Sequence, residues 1–196
     1  MSLNLFIIGP SGCGKSTQAK LVAEKYGLTH LSMGQLLRDE IAAQSKLGIA
    51  AKAAIDSGVW VPDDIIYPIL INALSKINNE NFIIDGFPRL VNQGVFIDAH
   101  LDSVGKKTDL LIHLNVTQVE ISNRRNNMGD KFQDINRTDN TPEAIAARQK
   151  SYDDTINPIL DYYRHQNKLF DTDGNRPVDP IFTDICQEID KTKQIF

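Results

Sequence analysis

The segment Gly9-Pro-Ser-Gly-Cys-Gly-Lys-Ser16 decides the fold, because it lies between an apolar run at residues 3–8 and a helical pattern at residues 15–26. Its spacing matches G-x-x-x-x-G-K-[S/T], in which the glycines let backbone N–H groups face phosphate oxygens. The helix N-terminus that follows adds a favourable dipole for an anion. A merely glycine-rich turn is the alternative, and the flanking strand and helix make it much the weaker interpretation. The segment therefore predicts a phosphate-binding loop.

Short apolar runs alternate with longer helical patterns along most of the chain, which is the rhythm of βαβ units. The runs and the helices that follow them lie at residues 3–8 and 15–26, 82–84 and 90–100, and 110–114 and 116–126. Because these runs are continuously apolar, we expect strands buried on both faces of a parallel sheet. Two weaker candidates at residues 30–32 and 168–171 complete a predicted five-stranded parallel sheet in a three-layer α/β phosphate-loop fold.

Two segments interrupt this rhythm. Residues 32–61 have helical character punctuated by Gly48 and Gly58, with Gly58 where a helix C-terminal cap is expected, and they predict a small helical lobe. Residues 124–140 are polar and poor in aliphatic side chains, so they predict a short exposed lid. The core domain is expected to take the remaining residues, 1–31, 62–123 and 141–196.

A long helix is predicted to follow the lid, with Thr141 as its N-cap and Pro142 at its first position. Its apolar stripe includes Ile145 and Tyr152. Arg148 falls on this stripe between them, where a solvated arginine is not expected. It is therefore either a ligand-binding residue or an arginine whose stem packs along the apolar surface.

The second predicted strand, Asn81-Phe-Ile-Ile-Asp85, ends in a carboxylate. Enzymes with a phosphate-binding loop use such an aspartate to hold Mg²⁺, often through the water shell of the ion. Aspartate also starts turns well, so by itself this position favours an ordinary strand end. Together with the loop it predicts a magnesium site built from Asp85 and the hydroxyl of Ser16 or Thr17, with Lys15 reaching the outer phosphates.

Composition excludes several classes of function. Acidic residues outnumber basic ones by 25 to 21, which argues against a protein whose main task is to neutralise a nucleic-acid backbone. The two cysteines, Cys13 and Cys186, indicate neither a disulfide framework nor a zinc site, which fits a reducing cytoplasm. No apolar run approaches the length of a membrane span, and no basic region precedes the apolar start. We therefore expect neither a membrane anchor nor an export signal.

Asp85 continues into Gly86-Phe-Pro-Arg89, and with these residues the pattern resembles the adenylate kinase family of nucleoside monophosphate kinases, which carry D-G-F-P-R here. The resemblance covers nearly the entire chain, because further blocks occur in family order at residues 31–38, 56–58 and 137–148. It implies a reversible transfer of the ATP γ-phosphoryl group to AMP, giving two ADP. It also implies ATP and a nucleoside monophosphate as partners, Mg²⁺ bound with ATP, and a monomer.

For the acceptor nucleotide, the resemblance implies that Arg38 and Arg89 hold the α-phosphate and that Gln93 reads the base. Arg137 and Arg148 would bridge the two substrates across the reacting centre, where planar guanidinium groups suit phosphate oxygens. The remaining residues expected at the acceptor are Ser32, Met33, Val59, Trp60, Val61, Gly86, Phe87 and Pro88.

For ATP, the resemblance implies that Arg124 lies near the phosphates and that Arg176 contacts the side of the base or ribose. The other residues expected at ATP are Gly12, Cys13, Gly14, Lys15, Ser16 and Thr17. The catalytic set implied by the family is Lys15, Arg89, Arg124, Arg137 and Arg148. The predicted lid is short and lacks the four cysteines of some longer family lids, so zinc is not expected.

The chain departs from the family at Met33, where threonine is usual, at Gln35, where aspartate is usual, and at Met128, where arginine is usual. The first two changes fall in the pocket for the acceptor base, so a UMP/CMP-type kinase stays an alternative to AMP. All three together leave open a catalytically weakened nucleotide-binding switch of the same fold. A nucleic-acid-dependent ATPase is the least favoured alternative, because the sequence offers no aromatic and basic surface for a strand.

Overall fold

Five parallel strands form the centre of the part of the chain that the structure describes, residues 2–57, 60–128 and 141–194 of a computed structural model. The sheet has the order β2-β3-β1-β4-β5. The strands are β1 (Asn4–Ile8), β2 (Thr29–Ser32), β3 (Phe82–Asp85), β4 (Leu110–Asn115) and β5 (Leu169–Asp173). All four pairings are parallel, so the predicted five-stranded parallel sheet is confirmed. Gly58, Val59, Arg137 and most of the predicted lid lie outside the described residues.

Helices follow the strands as the alternating pattern predicts. They are α1 (Lys15–Tyr26), α2 (Met33–Ala42), α3 (Lys46–Ser57), α4 (Asp63–Ser75), α5 (Val91–Ser103), α6 (Gln118–Met128), α7 (Pro142–His165) and α8 (Val178–Gln194). The helices predicted at residues 15–26, 90–100 and 116–126 correspond to α1, α5 and α6 within a few residues at their ends, whereas α8 was not predicted. None of the helices within the described ranges is long and apolar enough to cross a membrane.

Alternate residues of the central strands pack against different helical layers. Phe6 and Ile8 belong to a core cluster that includes residues of α4, α5 and α7. Leu5 and Ile7 belong to a second cluster, with residues of α1 and α8. Both pairs are fully buried, which explains why the strand sequence is continuously apolar. The three-layer α/β fold is thus confirmed.

The parallel register brings the ends of neighbouring strands to one edge of the sheet. Asp85 at the end of β3 lies opposite Ile7 of β1 and opposite Ser32 of β2. The chain leaves β1 directly into the glycine-rich loop and returns through α1. The loop, Asp85 and the start of α2 therefore meet at the carboxyl edge of the sheet, where α/β folds bind ligands.

The segment at residues 32–61 contains the helices α2 and α3, and its role as a separate lobe stays a prediction. Ser32 caps α2 by accepting from the Gln35 backbone N–H, and Ser45 caps α3 by accepting from the Gly48 backbone N–H at 2.9 Å. The interpretation of Gly48 as punctuation is wrong, because this residue lies inside the first turn of α3. A Cβ atom there would stand 2.1 Å from the Glu40 carbonyl oxygen, so Gly48 permits the close approach of α2 and α3.

The long helix α7 begins as predicted. The Thr141 hydroxyl accepts from the Ala144 backbone N–H at 3.2 Å, and Pro142 is at the first position of the helix. Arg148 is half-buried, and its Nε donates to the Ala144 carbonyl at 3.2 Å. The arginine is thus partly covered by the protein, as its place on the apolar stripe predicts.

A histidine network joins β4, β5 and α7 beside a cavity of about 480 Å³. His113 is buried on β4, with its Nδ1 2.9 Å from an Asp171 carboxylate oxygen and its Nε2 2.6 Å from the Tyr152 hydroxyl. A neutral imidazole suits both partners, because Nδ1–H donates to Asp171 while Nε2 accepts from the Tyr152 hydroxyl. Burial lowers the pKa of His113, although the Asp171 carboxylate opposes this shift.

The lowered pKa of His113 makes a prediction about stability and pH. A histidine with a folded pKa below its unfolded value of about 6.5 contributes stability that is present above that pH. This stability is lost as the pH falls through the folded pKa, because the unfolded chain then binds more protons. We expect the fall in Tm between about pH 7.5 and about pH 5 to be smaller in His113→Gln than in the wild type. Exposed His165 provides a control, and equal falls in the wild type, His165→Gln and His113→Gln would contradict the prediction.

Candidate functional site

The glycine-rich loop closes on the N-terminus of α1. Gly14 is the N-cap residue with φ +97°, a conformation that side chains other than glycine rarely adopt. Its carbonyl accepts from the backbone N–H groups of Thr17 and Gln18, each at 3.1 Å. The N-terminus of a helix carries a partial positive charge, which favours an anion at this end of α1.

Lys15 and Arg89 converge on Gly86, the residue that follows β3. A Cβ atom built on Gly86 would lie 3.1 Å from Arg89 Nη2 and 3.9 Å from Lys15 Cε. Gly86 also has φ +85°, a backbone conformation that side chains other than glycine rarely adopt. Lys15 Nζ donates to the Pro10 carbonyl at 3.0 Å, which holds the ammonium over the loop. Two cationic side chains from separate parts of the sequence thus border the same point at the sheet edge.

Asp85 is buried at the end of β3 and keeps its charge through its neighbours. Burial raises the pKa of this carboxyl, but His30, Lys15, Ser16 and Arg89 together outweigh that effect and leave the pKa below its usual value. One of its oxygens accepts from the Ser16 hydroxyl and lies 3.8 Å from His30 Nε2. The Asp85 carboxylate is therefore ionised near neutral pH.

Ser16 and Asp85, which were predicted as magnesium ligands, are hydrogen-bonded to each other. The second Asp85 oxygen, Oδ1, is buried and has no hydrogen-bond partner among the described residues. A charged oxygen without a partner, beside a hydroxyl oxygen, fits a hard cation that prefers oxygen ligands. Within the described residues, no three His, Cys, Asp or Glu side chains form a group that could hold a metal ion.

Arg89 lies between the loop and the residues that lead into α4. Its Nε donates to the Gly86 carbonyl at 2.7 Å, and its guanidinium carbon lies 4.9 Å from the centre of the Trp60 ring. The aromatic face and the carbonyl fix the plane of the guanidinium. Trp60, which was predicted at the acceptor site, is thereby brought to Arg89.

Arg38 is positioned by a residue that departs from the family pattern. Its Nη2 donates to the Gln35 side-chain oxygen at 2.7 Å, and the Gln35 amide nitrogen donates to Asp39 at 2.7 Å. All three side chains lie on α2. Gln35 therefore has a physical role here as an acceptor for the arginine, which a comparison with the usual aspartate did not suggest.

Gln93 is fully buried and hydrogen-bonded at both ends of its amide. Its Oε1 accepts from the Arg89 backbone N–H at 2.8 Å, and its Nε2 donates to Asp63 Oδ1 at 2.7 Å. Sequence reasoning missed the part played by Asp63, which begins α4. Its location directly after the expected acceptor residues Trp60 and Val61 is the signal that could have pointed to it.

Several residues predicted to contact a nucleotide have side chains that pack into the protein core. These residues are buried in this conformation and contribute to packing. These residues are Cys13, Met33, Val61, Phe87 and Pro88.

Arg124 ties the glycine-rich loop to the segment after β5. Its Nη1 donates to the Cys13 carbonyl at 2.7 Å and its Nη2 to the Gly174 carbonyl at 2.6 Å, while its Nε pairs with Glu120 at 2.8 Å. A longer contact of 3.3 Å reaches the carbonyl of Arg176. The structure thus brings the two predicted donor-side arginines together, with the Arg124 guanidinium bound to backbone carbonyls.

Arg176 is held on the other side of this contact. Its Nη2 donates to Asp184 of α8 at 2.7 Å, and its Nε donates to the Asp173 carbonyl at 3.1 Å. The loop between β5 and α8 is therefore anchored at both ends. The predicted pairing of Arg137 with Arg148 stays a prediction, because Arg137 is outside the described residues.

Comparisons with known proteins agree over most of the chain. The profile of a protein family described as "Adenylate kinase" matches residues 7–168. The chain is 36% identical to an adenylate kinase of Fusobacterium nucleatum, over 94% of this chain and 97% of that protein. It is also 37% identical to one of Stenotrophomonas maltophilia, over 91% of this chain and 95% of that protein. An adenylate kinase of Archaeoglobus fulgidus is 32% identical, over 97% of this chain and its own full length.

The contacts of Arg124 predict a stabilising role. We expect Arg124→Lys to lower the free energy of unfolding by about 1–3 kcal/mol, because one ammonium cannot bind carbonyls on both sides as the guanidinium fork does. Arg164→Lys is the matched control, since Arg164 is exposed and pairs with Asp161 on its own helix. That change should stay within about 0.5 kcal/mol. Urea unfolding measures both, and equal effects would contradict the role given to Arg124.

Proposed function

The chain belongs to the adenylate kinase family, and on that premise we propose that it transfers the γ-phosphoryl group of ATP to AMP, forming two ADP. The observation that carries this proposal is the meeting of Lys15 and Arg89 at Gly86, beside the buried Asp85 carboxylate. Phosphoryl transfer needs cations around the moving group and an anion that can hold a metal ion, and these residues provide both.

On the donor side, the loop at residues 9–14 and the start of α1 bind the phosphates of ATP. Lys15 already lies over this loop and neutralises the outer phosphate oxygens. Ser16 and Asp85 would hold the Mg²⁺ that accompanies ATP, with Asp85 acting through water. The ion, when bound, neutralises charge that develops on the β- and γ-phosphates. Arg124 and Arg176 maintain the shape of the loops around the donor.

On the acceptor side, Arg38 and Arg89 bind the α-phosphate of AMP. Arg89 is suited to this because its Nε is taken by Gly86, which aims the rest of the fork. Gln93, which follows Arg89 by four residues and accepts from its backbone N–H, reads the base. Arg137 and Arg148 bridge the two nucleotides, which places positive charge at the transition state.

Movement of the helical lobe and of residues 124–140 closes the site. The lobe is joined to the core through β2 and through the segment that leads to α4, and the proposed movement takes place about these two connections. Closure excludes water, which would otherwise compete with AMP for the phosphoryl group. We further propose that the protein acts in the cytoplasm as a monomer, without nucleic acid or membrane as partner.

An acceptor assay tests the proposed function. Mg-ATP is supplied with AMP, UMP, CMP or GMP, and formation of each diphosphate is followed in a coupled assay. We expect AMP to give the highest kcat/KM, because the site contains the base-reading Gln93. Preference for UMP or CMP would instead indicate the pyrimidine kinase alternative. ATP binding without any diphosphate formed would identify a nucleotide-binding switch and contradict the proposal.

Replacement of Lys15 tests the arrangement at the loop. We expect Lys15→Ala to lower kcat by about 10²–10³-fold, because an aimed positive charge is lost from the outer phosphates. Lys20→Ala, on the exposed side of α1, should keep the wild-type rate. Thermal unfolding of both variants checks that the fold is intact. A Lys15→Ala enzyme of near-normal kcat would contradict the role assigned to this residue.

A further inference from the structure

Asp63 and the backbone N–H of Arg89 form hydrogen bonds with the two ends of the Gln93 amide. The distances are 2.7 Å from Gln93 Nε2 to Asp63 Oδ1 and 2.8 Å from the Arg89 nitrogen to Gln93 Oε1. Gln93 has no exposed surface, so water cannot replace either partner. A base contacts this amide only when the groups covering it move aside, and it then meets an amide that is already oriented.

The chemistry of the two partners permits one orientation of the amide. A carboxylate oxygen only accepts hydrogen bonds, and a backbone N–H only donates one. The NH₂ group of Gln93 must therefore face Asp63, and its carbonyl must face Arg89. The reverse orientation would place oxygen against oxygen and N–H against N–H in a buried place. This assignment follows from the partners alone, although nitrogen and oxygen of an amide are easily interchanged in a structure.

Asp63 itself is held in place by the protein. Its second carboxylate oxygen accepts from the Asn92 side-chain nitrogen at 2.5 Å. The helices that carry the two partners are joined by Tyr67 of α4 and Phe96 of α5, whose rings stack with centroids 3.6 Å apart. The carboxylate and the amide therefore keep their relative position when a ligand approaches.

An oriented amide distinguishes two kinds of purine. After its bonds to Asp63 and Arg89, the Gln93 amide keeps one N–H and one oxygen lone pair, in a fixed order. A 6-aminopurine presents an amino donor beside the N1 acceptor, whereas a 6-oxopurine presents a carbonyl acceptor beside an N1–H donor. When the Gln93 N–H faces N1 and the Gln93 oxygen faces the 6-substituent, a 6-aminopurine forms two hydrogen bonds with the amide. A 6-oxopurine in the same position places oxygen against oxygen and N–H against N–H.

We propose that Asp63 is a positioning residue that selects a 6-aminopurine over a 6-oxopurine by fixing the donor and acceptor order of the Gln93 amide. This inference rests on the proposed function, because it takes Gln93 as the reader of the acceptor base. Buried polar groups left without partners can separate closely similar substrates by large factors, so the orientation of one amide is enough to matter.

The alternative role of Asp63 is structural, and the chain contains a control for it. Asp63 and Asp64 both lie in the first turn of α4, where negative charge favours a helix. Asp64 is exposed, whereas Asp63 is half-buried. Replacement of either residue by asparagine removes the same charge from the same helix end. An effect of Asp63→Asn that Asp64→Asn lacks therefore cannot come from the helix dipole.

The test compares AMP with IMP as acceptors for the wild type, Asp63→Asn and Asp64→Asn. An asparagine at position 63 can offer either oxygen or N–H to Gln93, so the amide is no longer fixed. We expect the ratio of kcat/KM for AMP to that for IMP to fall at least about tenfold in Asp63→Asn, mainly through a higher KM for AMP. The ratio should change less than about twofold in Asp64→Asn. An unchanged ratio in Asp63→Asn overturns the proposal.

A double-mutant cycle distinguishes an effect of Asp63 through Gln93 from a general loss of structure. In a Gln93→Leu background there is no amide to orient, so adding Asp63→Asn should leave the AMP to IMP ratio unchanged. A further fall in that background would show that Asp63 acts through something other than Gln93 and would overturn the proposal. If the proposed function is wrong, the wild type forms no ADP from AMP. This result distinguishes failure of the proposed function from failure of the role given to Asp63.

Discussion

The buried carboxylate of Asp85 is the constraint on which the rest of the site depends. A charge at the end of a central strand is costly unless cations and donors surround it. Lys15 and Ser16 come to it from the glycine-rich loop, and Arg89 comes from the turn after β3. The parallel register makes this meeting possible, since it aligns the ends of β1, β2 and β3. The same groups that keep Asp85 ionised are those that phosphate and magnesium require.

Much of the fold was predictable because its signals are local. The apolar run before Gly9, the glycine spacing and the cap at Thr141 each specify a strand, a loop or a helix start within a few residues. The position of Asp85 at a strand end was predictable for the same reason. What could not be predicted depends on contacts between distant segments. Glycine is needed at position 48 because α2 lies against α3. Asp63 has a role because α4 brings it within hydrogen-bond distance of Gln93.

The arginines of the site divide into two groups by what their guanidinium groups bind. Arg124 and Arg176 are bound to carbonyls and carboxylates of the loops around the donor, so they set the shape of that side. Arg38 is bound to Gln35 on its own helix, and Arg89 is bound to the Gly86 carbonyl and lies over the Trp60 ring. Under the proposed roles, the first pair holds the loops of the donor site and the second pair binds the acceptor, and transfer requires that the two nucleotides be held in a fixed relative position.

The central claim is that one active site joins two nucleotides and moves a phosphoryl group between them. The most direct measurement is to give the enzyme ADP and Mg²⁺ without any other nucleotide and to follow the products by ³¹P NMR. The account predicts that ATP and AMP appear in equal amounts, because one ADP donates its terminal phosphoryl group to another. Release of inorganic phosphate without ATP, or no change in ADP, would contradict it.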